Sequence, residues 1–164
     1  MHGRDRGAKA ILLLAHIDVV EARREDWQRD PFKLVEENGW FYARGASDDK
    51  AMAAVFTDSS SVTAKRDSSP GATSSSRTAR ILDPVRAVAA KIWPGVPLVP
   101  TMSTGATDGR FLTAHGVPTY GLSGMFHDAE GPRAHGLNER IRVVSLMNGR
   151  RFLYEVVKLY ANQP

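Results

Sequence analysis

The apolar run Ala10-Ile11-Leu12-Leu13-Leu14 is long enough for a buried strand, and it delivers His16 and Asp18 where that strand gives out. Side chains alternate along an extended chain, so His16 and Asp18 point the same way. Pro31 to Arg44 reads as a hairpin, with Asn38-Gly39 as the turn between two β-rich runs. Asp48 is placed to open a helix over Ala51-Met52-Ala53-Ala54-Val55-Phe56. A second helix is expected over Ile81 to Ile92, capped by Asp83 with Pro84 in its first turn. Pro97 to Met102 and Thr119 to Ser123 read as strands, with a Gly-containing loop and short helix after Ser103 and a loop over Gly124 to Arg133. Val143 to Tyr160 is a strong amphipathic helix, with Val144, Met147, Phe152, Val156, Leu159 and Tyr160 on or near one stripe.

Composition narrows the class. The 164 residues suit one domain, and 42% hydrophobic and 24% charged content is ordinary for a soluble globular chain. There is no cysteine, so any metal must be held by histidine and carboxylate. The longest apolar run is too short to span a bilayer, and residues 1–9 are polar; a cytoplasmic location and no membrane partner are expected. The net charge of +4 comes from scattered Arg and Lys without aromatic interleaving, which argues against a nucleic-acid footprint. Residues 59–80 break the pattern: Ser59-Ser60-Ser61 and Ser74-Ser75-Ser76 bracket a polar stretch that composition reads as a flexible linker.

His16 with Asp18 at a strand end suits a metal site, and it equally suits a core histidine bonded to a neighbouring aspartate. Further on come Gly45-Ala46-Ser47-Asp48-Asp49-Lys50 and Arg133-Ala134-His135-Gly136-Leu137-Asn138-Glu139-Arg140. With these three segments in this order, the chain resembles the zinc-dependent aminoacylase and carboxypeptidase family, near its carboxypeptidase S-like branch, over residues 8–57 and 80–164. The relatives include dipeptidases and succinyl-diaminopimelate desuccinylase. The resemblance implies a three-layer α/β fold, with a mixed sheet between helices, as a truncated form of the zinc-peptidase catalytic domain without its lid. It implies that His16 is a terminal ligand of one zinc, oriented by Asp18, that Asp48 is the carboxylate bridging two zincs, and that His135 is a ligand of the second. Thr107 and Arg110 would lie near the carboxylate end of a substrate, whereas Asp108 reads as the start of a capped helix.

The family's paired glutamate falls after the bridging aspartate, so Glu36-Glu37 is not its counterpart. No glutamate occurs between Glu37 and Glu130. With His16, Asp48 and His135 remaining, one zinc with an open position is expected rather than two. The expected activity is a weak, permissive hydrolysis of amide or ester bonds in small-molecule or peptide-like substrates. The alternative is a non-catalytic metal-binding relic that folds and self-associates as a homo-oligomer through uncovered sheet edges. His127-Asp128 reads as loop, and His115 as a helix-end residue. Where the family continues its helix and enters a strand, residues 59–80 resemble the same gene read one nucleotide out of frame. The native gene decides this: a single-base shift across those codons should restore an apolar strand, and a gene in which no shift does so would dismiss the idea.

Overall fold

Asn38 and Gly39 both take positive φ, 51° and 76°, the backbone that a two-residue hairpin turn with the right-handed twist of its strands requires. They join β1 (Val35–Glu37) to β2 (Trp40–Tyr42) in the register Val35↔Tyr42 and Glu37↔Trp40, as the sequence predicts. In the computed structural model, which describes residues 11–57, 79–101 and 106–161, a 3-10 turn at Arg24–Asp26 precedes this hairpin in the chain and four α-helices follow it. They are α1 (Lys50–Thr57), α2 (Ala79–Ile92), α3 (Gly109–Ala114) and α4 (Val143–Ala161). A third strand, β3 (Arg140–Arg142), leads directly into α4 and pairs antiparallel with β2, Phe41 opposite Ile141. Its one apolar residue between two arginines gives too little periodicity to be read from sequence.

The described residues cluster into two compact units. In the first, spanning 15–57 and 123–151 among described residues, strand alternation sends Phe41 and Ile141 to one face of the sheet. Ile141 is only 1% exposed and sits with Ala46 and Ala51, while Phe41, Ala43, Met125 and Leu146 pack against them. The opposite face is a layer of arginine on aromatic rings. The Arg140 and Arg142 guanidinium carbons lie 4.3 and 4.4 Å from the Trp40 centroid, and that of Arg29 lies 4.1 Å from Tyr42. In the second unit, Val85 and Val88 of α2 and Phe152, Leu153 and Val156 of α4 are buried, and the rings of Trp93 and Phe152 stand 5.0 Å apart.

Several expectations are corrected. The stretches read as strands at 10–14, 97–102 and 119–123 form no strand over their described residues, and the sheet is a small antiparallel one. Helices with this sheet make an α/β composition, but the described strands do not supply the mixed sheet that a three-layer arrangement requires. An apolar run becomes a strand only beside a ladder partner, and parallel strands need covering on both faces. Here Leu12 and Val99 are instead 64% and 66% exposed. The second helix begins at Ala79, so Pro84 lies inside it and Asp83 does not cap it; the Asp83 carboxylate accepts from Arg86 at 3.4 Å. The Ser-rich segment falls, through residue 78, outside the described residues. No described helix is long and apolar enough to cross a membrane.

The core assignment carries a stability prediction. Ile141→Ala removes a side chain from the centre of the first unit and should cost about 2–5 kcal/mol. Val144→Ala, at an exposed position, should stay within about 0.5 kcal/mol. Urea denaturation of the two variants checks this, and equal costs would contradict the core.

Candidate functional site

The site grows from the loop between β2 and α1. Gly45 adopts φ +82°, and a Cβ there would stand 2.6 Å from Cγ1 of Val19, so both the backbone and the approach of segment 15–20 require glycine. Its carbonyl accepts from the Lys50 N–H at 3.1 Å, and the Asp49 carbonyl accepts from Ala53 at 3.0 Å, which starts α1. Asp49 rather than Asp48 is therefore the flanking residue of the helix. Asp48, joined to Asp49 by a cis peptide bond, is left in the loop with its carboxylate outside the helix.

Each oxygen of that carboxylate faces one imidazole. Nε2 of His16 is 3.2 Å from Oδ1, and Nε2 of His135 is 2.7 Å from Oδ2. Nδ1 of His16 lies 3.1 Å from the Asp18 main-chain carbonyl and 3.5 Å from its carboxylate oxygen. A carbonyl only accepts, so Nδ1–H donates to it and the ring turns Nε2 toward Asp48. Asp18 thus orients His16 chiefly through its backbone, its side chain being 92% exposed. Two acceptors, the neutral Nε2 and Oδ1, then face each other, an arrangement that calls for a cation or a proton between them. Burial pulls the His16 pKa down, but the hydrogen bond to Asp18 and the carboxylates of Asp49, Asp48 and Asp18 outweigh it, and the net shift is upward. Burial likewise pushes the Asp49 carboxyl up to about 6; His16 opposes this, through its charge and its backbone N–H, and Asp48 adds to it.

His135 stands at φ +62° in a tight turn in which Gly136 N–H donates to the Arg133 carbonyl at 2.9 Å. What holds this turn against the Asp48 loop is a residue that sequence reasoning did not single out. Glu139 is 0% exposed, and its carboxylate accepts the N–H groups of Gly45, Ser47 and Asp48 and a guanidinium N–H of Arg44, each at 2.9 Å. The other terminal nitrogen of Arg44 donates to the Gly136 carbonyl at 2.9 Å. The only local signal was a glutamate following a turn-rich run, which does not reveal partners more than 90 residues away. Beside His135 opens a cavity of about 220 Å³ whose lining includes Trp27, Arg44, Gly136 and Leu137.

His16, Asp18, Asp48 and His135 are therefore brought together, whereas Thr107 and Arg110 belong to the second unit. The Thr107 hydroxyl accepts the Gly109 N–H at 3.1 Å and so caps α3, a task expected of Asp108, which makes no side-chain cap. The Arg110 guanidinium carbon lies 5.8 Å from the Phe111 ring centroid. His115 ends α3 with Nδ1 2.7 Å from the Phe111 carbonyl, and Asp128 is tied to Arg140 at 3.2 Å in the loop beside His127. Burial, partly offset by Asp128, lowers the His127 pKa.

The donor types suit zinc: imidazole nitrogen and carboxylate oxygen, with no thiolate. The spacing suits it at His16, since two ligands of a tetrahedral zinc stand about 3.3 Å apart. The number does not suit it. Each carboxylate oxygen meets one histidine, and among the described residues no three His, Cys, Asp or Glu side chains are arranged to hold a metal ion. The three donors are spread along Asp48 rather than gathered round one point, as a single ion on all three would need.

The sequence matches the model of Peptidase family M20/M25/M40 over residues 12–62 and 59–159. It is 46% identical over 50 residues to the mouse (Mus musculus) N-fatty-acyl-amino acid synthase/hydrolase PM20D1, which covers 30% of this chain and 10% of that protein. It is 49% identical over 45 residues to the Beta-Ala-Xaa dipeptidase of Lactobacillus delbrueckii subsp. lactis, covering 27% and 9%. It is 40% identical over 52 residues to an acetylornithine deacetylase of Buchnera aphidicola subsp. Acyrthosiphon pisum, covering 32% and 14%. The matched stretch thus spans about a tenth of the length of these relatives. With the family model matched across most of its residues, and with the segments carrying His16, Asp48 and His135 inside the match, the chain belongs to Peptidase family M20/M25/M40.

Proposed function

We propose that this chain acts as a zinc-dependent hydrolase of amide bonds and of activated esters, with Asp48 as the shared carboxylate, His16 and His135 as the nitrogen donors on its two oxygens, and Asp18 orienting His16. The observation that carries this reading is the pair of contacts from one carboxylate, at 3.2 Å to His16 and 2.7 Å to His135. It is supported by membership of a peptidase family and by the names of the relatives, which include a dipeptidase and a deacetylase. Zinc held by His16 and Asp48 would supply Lewis acidity toward a carbonyl and toward a water molecule. The chain's own residues do the rest. The Asp18 carbonyl fixes the tautomer of His16, Asp48 keeps the two imidazoles on opposite oxygens, and the cavity beside His135 leaves room for one arm of a small or peptide-like substrate.

Losing a positioned general base typically costs about 10²–10⁴-fold, and a good leaving group depends least on it. Purified protein should therefore hydrolyse activated esters faster than dipeptides or acyl-amino acids, and should lose that activity to a chelator and regain it with zinc. His16→Ala and His135→Ala should each lower zinc content sharply, and Asp48→Ala should remove both zinc and activity. Activity indifferent to chelator, or kept in Asp48→Ala, would contradict the assignment.

A second reading is favoured by the two-donor count on each side of Asp48. In that reading the chain folds, holds a metal weakly and does not turn over. Zinc binding without any chelator-sensitive hydrolysis would select it. In either case self-association is proposed, because Ile11, Leu12, Ile17, Val19 and Val20 form an exposed apolar run with no strand partner among the described residues. Light scattering at tens of micromolar should give a homodimer or larger mass, and a clean monomer mass would contradict this.

A further inference from the structure

We infer that Glu139 is the positioning residue of the site, setting the distance between Asp48 and His135 rather than only stabilising the fold. The role rests on the reading of Asp48 and His135 as site residues, but the geometry that carries it involves neither side chain. One carboxylate oxygen of Glu139 accepts the N–H of Ser47 and of Asp48 itself, and the other accepts Gly45 N–H and Arg44 Nη1, all at 2.9 Å. Arg44 then reaches with Nη2 to the carbonyl of Gly136, the neighbour of His135, at 2.9 Å. Glu139 and Arg44 form a buried clamp that runs from the peptide of one site residue to the peptide beside the other. Both side chains are almost wholly buried, so no water replaces a lost contact.

A carboxylate is the group that suits this place. Four donors converge on two oxygens, and an acid has acceptor sites for all of them with no hydrogen to misplace. An amide at the same position turns an NH₂ toward one pair of donors, so either Ser47 and Asp48 or Gly45 and Arg44 lose their acceptor. An aspartate is one methylene short and cannot reach both sides. In each case the loop bearing Asp48 is released from the turn bearing His135, although the β1–β2 hairpin takes no part in the clamp.

The test separates positioning from stability. Long-range ¹H–¹⁵N spectra of the imidazoles are recorded on the full chain, metal-free in chelator, well below the melting midpoint of each variant. Wild type should show the His135 Nε2 signal of a nitrogen bonded to a carboxylate, and Asp48→Asn should shift it. Glu139→Gln should move that signal to the Asp48→Asn position, whereas Val85→Ala, which removes a buried side chain of the second unit and no clamp residue, should keep the wild-type signal. If Glu139→Gln does not fold, Arg44→Lys, which keeps the charge but not the fork, should move the His135 signal and leave that of His16 in place. A wild-type His135 signal in Glu139→Gln, or in Arg44→Lys where that variant stands in, overturns the inference, as does a wild-type spectrum already matching Asp48→Asn. Zinc affinity, measured separately by competition with a chromogenic chelator, should fall about 10–100-fold in Glu139→Gln. Wild type that binds no zinc would overturn the hydrolase reading while leaving the spectra to decide the role of Glu139.

Discussion

The arrangement of the first unit depends on a buried carboxylate that is fully satisfied. Removing the charge of Glu139 from water is expensive, and the structure compensates with four donors at hydrogen-bond distance, one of them a guanidinium. Three of those donors are successive or near-successive backbone N–H groups in a glycine-containing loop, which no regular element would satisfy. Glu139 satisfies the loop's N–H groups, and the loop in turn satisfies the buried charge of Glu139. Trp27 adds to the enclosure, with the Arg44 guanidinium carbon 5.0 Å from its ring centroid. The loop that bears Asp48 and the turn that bears His135 are both tied into this pair, the first by Glu139 and the second by Arg44.

What could be read from the sequence follows the range of the interactions. Asn38-Gly39 is a local device, and the hairpin it specifies is present with the expected register. Helix α4 is long and periodic enough to be read from its own stripe. The apolar segments near Leu12, Val99 and Tyr120 differ from the strands their sequence predicts for the opposite reason. Their residues state what a chain tends to bury, but whether a ladder partner lies alongside is not written in them. The Glu139 clamp was invisible on the same grounds, since its partners are 91 to 95 residues distant in sequence. The site histidines and Asp48 were legible only because three short segments recur together in a known family; spacing alone left His16 and Asp18 ambiguous.

The structure also changes the meaning of the residues that were legible. Asp18 meets His16 chiefly through its peptide carbonyl, at 3.1 Å, with its exposed carboxylate farther off at 3.5 Å. Thr107, expected near substrate, spends its hydroxyl on the first turn of α3. Asp48 is not one of three donors converging on a point. It is a divider shared between two imidazoles, each with its own oxygen.

That shared geometry is the central claim, and anomalous X-ray scattering at the zinc edge from crystals of the zinc-loaded protein tests it most directly. The account predicts a peak within coordination distance of Asp48 Oδ1 and His16 Nε2, with any second peak on the Oδ2 and His135 side. Zinc located away from Asp48, or none retained by protein whose His16 and Asp48 stand as described, would contradict it.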